Sequence, residues 1–406
     1  MMINKLSALF PALAVSNFRK YWITQWVALL GFWLQMTAQQ WLVYEMTHSA
    51  VLLGLVSAAQ FTPSLFFSIG TGLIIDRYSR RKILVATQFC YILQALALAF
   101  LLWSGHAAYG WILFLAFFLG SIDAVDMPTR LAFMPELVGS EKLRSAVSLN
   151  SANFNIARML GPALAAVLMS HMDYGWLFFL NALSLIPILY MYSVMKVQEM
   201  PPADTGRTAW QDIKTGLRYA KNSRIISGNL LCMAVVSTLI LNFGTYGPLF
   251  ADRVLHAGLT GFGAVLTAIG VGSLVGGLFS ATGKGKPDRR ILFYSALFSG
   301  LSLMAVSFVS LYWTALFLFA LLGLFSIIFM IHCNTSIQMA SPPSYHGRVM
   351  SLYTFVFLGT APFGSLLVSS AMELMGTSQG MMAAGAIEAA AVTGIGFLYR
   401  MNHKER

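Results

Sequence analysis

Charge is what this sequence has least of. Asp, Glu, Lys and Arg together make up 10% of its 406 residues, whereas a water-soluble domain carries roughly 25%. The chain therefore lacks the polar surface that a folded body in water needs. Cysteine is also scarce. The three present, Cys90, Cys232 and Cys333, each fall inside an apolar run, which gives no disulfide framework and reads as small buried side chains. There is no metal-like spacing of Cys and His, no His-Glu-x-x-His and no Gly-x-Ser-x-Gly, so nothing points to an enzyme, a metal or a cofactor. Gly283-Lys284 superficially suggests a phosphate loop, but Leu278 stands where its first glycine belongs and Gly285 where Ser or Thr would bind magnesium. Without a nucleotide site, any transport is secondary. Acids are outnumbered 15 to 26, for a net charge of +11. The bases fall between apolar runs rather than on one face, which excludes a nucleic-acid partner.

What is abundant is apolar length. Hydrophobic residues are 57% of the chain and the mean hydropathy is +0.70. Runs long enough to cross a bilayer lie near 21–45, 51–75, 83–103, 111–134, 145–170 and 174–195. They resume near 225–250, 260–282, 290–309, 312–338, 349–371 and 378–400. Continuous rather than alternating runs predict helices, not barrel strands. The expectation is an all-α integral membrane protein with twelve spans, in a plasma membrane. Residues 6–16 faintly resemble a signal peptide, but Pro11 interrupts the run and Arg19-Lys20 follow it. A cytoplasmic amphipathic lead-in is the better reading.

Basic residues set the orientation. With the N-terminus inside, 23 of the 26 Lys and Arg fall in cytoplasmic segments. Only Arg253 lies in an outer loop, and Arg130 and Arg158 lie within spans. This asymmetry predicts both termini in the cytoplasm. The one long polar segment, 196–224, holds Pro201-Pro202 and a helical pattern from Trp210 to Tyr219. It reads as a linker with a surface helix between a six-span bundle over 1–195 and another over 225–406. A shift of 209 residues places Gly54 on Gly263 and Arg80-Arg81 on Arg289-Arg290; a shift of 203 places Gly120 on Gly323. These matches suggest an internal repeat, which transporter folds commonly contain.

The end of span 2 carries the densest motif: Gly72, then Asp76-Arg77, then Arg80-Arg81. It resembles the loop signature between spans 2 and 3 of the major facilitator superfamily, with Ser79 where a second glycine is usual. The resemblance extends over the chain and implies a cytoplasmic gate at Gly72, Asp76, Arg77, Arg80 and Arg81. In span 5, Ser148, Ala157, Gly161-Pro162 and Ala165-Ala166 stand at the spacing of that superfamily's exporter signature, with only Gly161-Pro162 literal. A small-residue stripe with a proline packs closely and bends, so generic helix packing is the competing reading. Asn17-Phe18-Arg19, Gln40-Trp41-Leu42-Val43-Tyr44, Asp126-Met127-Pro128-Thr129-Arg130 and Pro135-Glu136-Leu137-Val138 look like the branch that includes enterobactin exporters and macrolide efflux carriers. This implies a monomeric, proton-driven exporter of a small organic molecule. The alternatives are an uptake permease of the same fold and, in another class, a non-transporting sensor or scaffold.

Ionisable and polar residues inside spans are expensive and are functional candidates. Span 4 places Asp123, Asp126 and Arg130 on one helix face, at i, i+3 and i+7. Arg130 lies one turn after Asp126, as a fixed ion pair requires. Asp123 has Met127 at that offset and is the expected proton carrier, with Arg158 of span 5 as its conditional partner. The resemblance implies that spans 1, 4, 7 and 10 line a central cavity. Candidate cavity residues are Gln35, Gln39, Asn150, Asn155, Asn242, His332 and Asn334; interhelical hydrogen bonding competes for the amides. Glu388 of span 12 is expected in a structural pair or a water-exposed cleft rather than in coupling.

Overall fold

A backbone in hydrocarbon has no water to bond, so each span must satisfy its own N–H and C=O groups. The computed structural model meets this with helices. It describes residues 10–197, 217–282, 288–342 and 345–401. The linker up to residue 216, with most of the predicted surface helix, and the loop 283–287 lie outside the described residues. Six helices come first: α1 (Ser16–Thr47), α2 (Ala50–Arg77), α3 (Arg80–Trp103), α4 (Tyr109–Val138), α5 (Leu143–Met169) and α6 (Tyr174–Val194). After a short helical stretch at 217–222, eight follow: α7 (Arg224–Leu239), α8 (Phe243–Arg253), α9 (Gly258–Thr282), α10 (Arg289–Val306), α11 (Tyr312–Ala340), α12 (His346–Gly359), α13 (Ala361–Met375) and α14 (Thr377–Met401). Ahead of α1, Pro11–Ala14 form one 3-10 turn that buries Ala12 and Leu13.

Eleven segments among the described residues are long and apolar enough to cross a membrane, counting α7 with α8 and α12 with α13 as one each. The remaining predicted span is α1, at 32 residues the longest helix, whose apolar character is diluted by Gln25, Gln35, Gln39 and Gln40. Large side chains such as Trp313, Phe363 and Phe397 are exposed, as a lipid-facing surface requires and a water-facing one does not. Helix starts follow local chemistry. Ser79 caps α3 by accepting from the Lys82 N–H at 3.4 Å, and Asp288 caps α10 by accepting from the Arg290 N–H at 2.8 Å; each satisfies a donor with no partner within its helix.

Two spans read as continuous in the sequence are interrupted. α7 and α8 are separated at Ile240–Asn242, and α12 and α13 at Thr360. The second break meets the last turn of α7: the Ser237 and Thr360 hydroxyl oxygens lie 2.5 Å apart. Pro362 marks the second break, since proline is tolerated in the first turn of a helix and not in its interior. No proline stands at the first.

The described chain divides into two compact units. The first comprises Met1–Gln39 with Phe66–Gly206, and the second Gln40–Leu65 with Arg207–Arg406. In the first unit α3 packs along α6 and α4, around a core that includes Phe18, Tyr21, Leu84, Phe133 and Tyr192. In the second, α11 packs on α9 and α10, and α14 packs on α10, α13, α7 and α8. The segment Gln40–Leu65, the end of α1 and the start of α2, belongs to this second body. Glu373 of α13 accepts from the Ala50 N–H at 2.8 Å and from the Ser49 hydroxyl at 3.3 Å, and the Tyr44 hydroxyl donates to Asp252 at 2.6 Å.

Candidate functional site

The polar groups of the first unit cluster between α3 and α4. Asp126 is buried and fully engaged. Its Oδ1 accepts from the Thr87 hydroxyl at 2.7 Å and from Gln88 Nε2 at 2.9 Å, and its Oδ2 pairs with the Arg130 guanidinium. This is the arrangement a buried charge needs, a counter-ion plus donors on the remaining lone pairs. Asp123, one turn earlier on the same face, is half-buried and accepts from the Tyr91 hydroxyl at 2.5 Å. Two carboxylates on one helix thus differ in partners and in access. Thr87, Gln88 and Tyr91 were not singled out in the sequence. Their signal is their own spacing, at i, i+1 and i+4 inside an otherwise apolar run. Arg158 on α5 is half-buried.

Gln35 has both ends of its amide engaged. Its Nε2 donates to Gln94 Oε1 at 2.9 Å, and its Oε1 accepts from Asn181 Nδ2 at 2.7 Å. Gln94 in turn donates to the Leu115 carbonyl at 3.3 Å, so a buried amide chain ties α1 to α3, α4 and α6. Gln39 is buried with its Oε1 unbonded, and the Asn150 Oδ1 is likewise unbonded. Asn155 donates to the Ser151 carbonyl of its own helix at 2.9 Å. Of the span-5 stripe, Ala157, Gly161, Pro162, Ala165 and Ala166 are buried, while Ser148 is exposed. A Cβ on Gly161 would stand 2.3 Å from the Trp33 Cβ, so glycine is what lets α5 approach α1 there.

Of the gate motif, Gly72, Asp76 and Arg77 fall in the last turns of α2, and their side chains lie outside what the structure describes. Arg80 pairs with the buried carboxylate of Glu136 on α4. Arg81 donates to the Met195 carbonyl at 2.9 Å and to the Ser193 carbonyl at 3.2 Å.

In the second unit, Asn242 sits at the start of α8 and donates to the Thr238 carbonyl at 2.8 Å, across the break. The Tyr246 hydroxyl donates to the Leu239 carbonyl. These bonds occupy carbonyls that the end of α7 leaves unsatisfied. The half-buried His332 ring bonds to the Ile328 carbonyl at 3.0 Å, and Asn334 accepts from Gln338 at 2.5 Å. Glu388 differs from its expectation. It is fully buried rather than open to water, and neither carboxyl oxygen has a hydrogen-bond partner. The sequence shows the acid but not that the helices packed on α14 bring it no hydrogen-bond donor.

Long apolar helices, two of them interrupted, with charges engaged inside the spans, define a multi-pass membrane protein. Solved transporters share the fold. They include the POT family transporter PepTSo (TM-score 0.76, 12% identity, 97% of this chain and 99% of that one) and a D-xylose-proton symporter (TM-score 0.72, 13% identity, 92% and 97%). The chain belongs to the transmembrane secretion effector family of the major facilitator superfamily, which it matches over residues 7–406. Among its relatives are the staphyloferrin A transporter of Staphylococcus aureus, 26% identical over 88% of this chain and 89% of that protein. Macrolide efflux protein A of Streptococcus pyogenes is 21% identical over 91% and 93%, and the enterobactin exporter EntS of Shigella boydii is 22% identical over 83% and 80%.

Proposed function

We propose that the protein is a proton-coupled exporter of small organic molecules, acting as a monomer in the plasma membrane with both termini in the cytoplasm. Protons, a small-molecule substrate and the lipid bilayer are its partners, and transport proceeds by alternating access of two six-helix halves. Its family and the efflux and siderophore-transport names of its relatives support export. The observation that carries proton coupling is the contrast on α4. Asp126 is closed by Thr87, Gln88 and Arg130 and orients the helix, while Asp123 has a tyrosine hydroxyl and partial access. A proton carrier must exchange, so Asp123 takes that role and Arg158 gates it. Gln39, Asn150, Asn155, Asn242, His332 and Asn334 contribute to the substrate path, and Gly72 to Arg81 form the cytoplasmic gate.

The test uses vesicles with an imposed pH gradient and staphyloferrin A, enterobactin and a macrolide as probes. Asp123→Asn should lose gradient-driven accumulation and keep exchange of the transported probe. Accumulation by Asp123→Asn equal to wild type removes Asp123 from coupling, and net uptake into energised cells would make the protein a permease.

A further inference from the structure

Glu388 is the one acid among the described residues that is completely buried with both oxygens unbonded. Four helices, α10, α13, α7 and α8, pack on α14. From α10 it meets bare backbone: a Cβ on Gly300 would stand 1.8 Å from Glu388 Oε2, and one on Gly385 would stand 2.5 Å from the Gly300 carbonyl oxygen. α10 and α14 thus cross at a glycine pair, and the carboxyl fills the space that a side chain at 300 would take. From α7 and α8 the titratable groups acting on it are the Cys232 thiol and the Tyr246 phenol. Both side chains are buried, and the phenol O–H donates its hydrogen bond to the Leu239 carbonyl. The other titratable groups of α10, Arg289, Arg290 and Tyr294, lie six or more residues before Gly300. On α13, Glu373 is engaged with Ser49 and Ala50, and on α8 Asp252 and Arg253 occupy the far end. No ion pair joins Glu388 to any described cation.

An ionised carboxylate without donor or counter-ion in such a place is prohibitively costly, whereas a neutral acid loses only the hydrogen bonds of a polar group. We propose that Glu388 is a proton-binding site of this carrier, separate from the Asp123 cluster and in the second unit, occupied by a proton in the conformation described. Its position gives the proton a mechanical context. Tyr246, within electrostatic range of Glu388, ties α8 to the last turn of α7 across the Ile240–Asn242 break. Movement at that break is the event that would let the acid exchange its proton. Interrupted helices beside ion sites are a recurring arrangement in transporters.

The inference needs no transported substrate and stands or falls separately from the Asp123 assignment. Infrared difference spectra of the full-length protein in liposomes, wild type minus Glu388→Gln, read the state of one carboxyl. The expected result at neutral pH is the C=O stretch of a protonated carboxylic acid, shifting in deuterium oxide within minutes as the proton exchanges. Should Glu388→Gln fail to fold, Gly300→Ala serves as the reference, because its methyl group displaces the carboxyl and moves the same band. A carboxylate band in place of the acid band overturns the proposal, and so does an acid band that never exchanges, which would make Glu388 a sealed structural acid.

Discussion

Tyr91 on α3 donates its hydroxyl to Asp123 on α4 at 2.5 Å. The structure thus places a tyrosine of another helix against the proposed proton carrier. A hydrogen bond to a charged group contributes about 1.5–3 kcal/mol, equivalent to roughly ten- to hundredfold in an equilibrium constant. Tyr91→Phe is therefore expected to move the pH midpoint of probe efflux by about one unit or more, with folding intact because the ring remains. An unchanged pH profile would show that the bond plays no part in coupling.

The Asp126–Arg130 pair makes a different prediction. Removing one partner of a buried pair leaves an uncompensated charge and costs about 3–5 kcal/mol. Arg130→Ala should lower expression and thermal stability in detergent sharply. Asp126→Asn with Arg130→Gln should recover much of the loss, since neutral amides can still bond Thr87 and Gln88. If Arg130→Ala melts like wild type, Asp126 is not held as a fixed ion and the roles of the two acids must be reconsidered.

Arg80 and Asp76 belong to one sequence motif, yet they should behave differently when replaced. Arg80 pairs with Glu136, whose side chain is 1% exposed, so Arg80→Ala removes the counter-ion from a buried carboxylate and should be a stability variant. Asp76→Asn is expected to leave melting unchanged and to alter cysteine labelling of the cytoplasmic side, as a gate residue would. Equal thermal losses in both variants would mean that the motif is structural throughout.

Much of this was legible in the sequence, and the limits have physical causes. Helix placement follows from apolar length, because lipid leaves the backbone no other choice. The Asp126–Arg130 pair follows from helical spacing alone. What spacing cannot give is the partner on another helix. Gln35 was a candidate cavity residue, yet Gln94 and Asn181 occupy its amide, and Arg80 was assigned to the gate motif, yet it reaches Glu136. The break between α7 and α8 was hidden for a related reason. Ile240 to Asn242 contain no proline or glycine, and the break is supported by bonds from Tyr246 and Asn242 that follow it.

Gly161 separates packing from function in span 5. Its missing Cβ would fall 2.3 Å from the Trp33 Cβ, a backbone-anchored atom that cannot swing aside. Overpacking of this kind costs about 1–3 kcal/mol. Gly161→Ala should lower the melting temperature by several degrees, and Gly161→Ala with Trp33→Gly, which removes the clashing Cβ, should regain part of it. If the stripe serves packing alone, the double variant should also regain efflux in proportion to its stability. Efflux that stays lost after stability returns would assign the stripe a role in the transport cycle.

The last prediction concerns Glu373, which serves as the N-terminal cap of α2 from another helix. Its carboxylate accepts from the Ala50 N–H at 2.8 Å and from the Ser49 hydroxyl at 3.3 Å, and Arg253 approaches it at 3.9 Å. A negative charge at a helix start meets the positive end of the helix dipole, and a cap of this kind contributes about 0.5–2 kcal/mol. The exposed ion pair with Arg253 adds little by itself. Most of the effect therefore resides in the contact that fastens the start of α2 to α13. Glu373→Gln keeps an acceptor and loses the charge, whereas Glu373→Ala loses both. Amide hydrogen exchange at residues 50–53 should accelerate in Glu373→Ala by about tenfold, as the loss of ~1.4 kcal/mol requires, with Glu373→Gln between it and wild type. If the carrier alternates as proposed, the segment Gln40–Leu65 must leave α8 and α13 in each cycle, so the same variants should turn over no more slowly than wild type. Exchange at 50–53 that is identical in all three proteins would show that Glu373 does not hold α2, whatever its distance from Ala50.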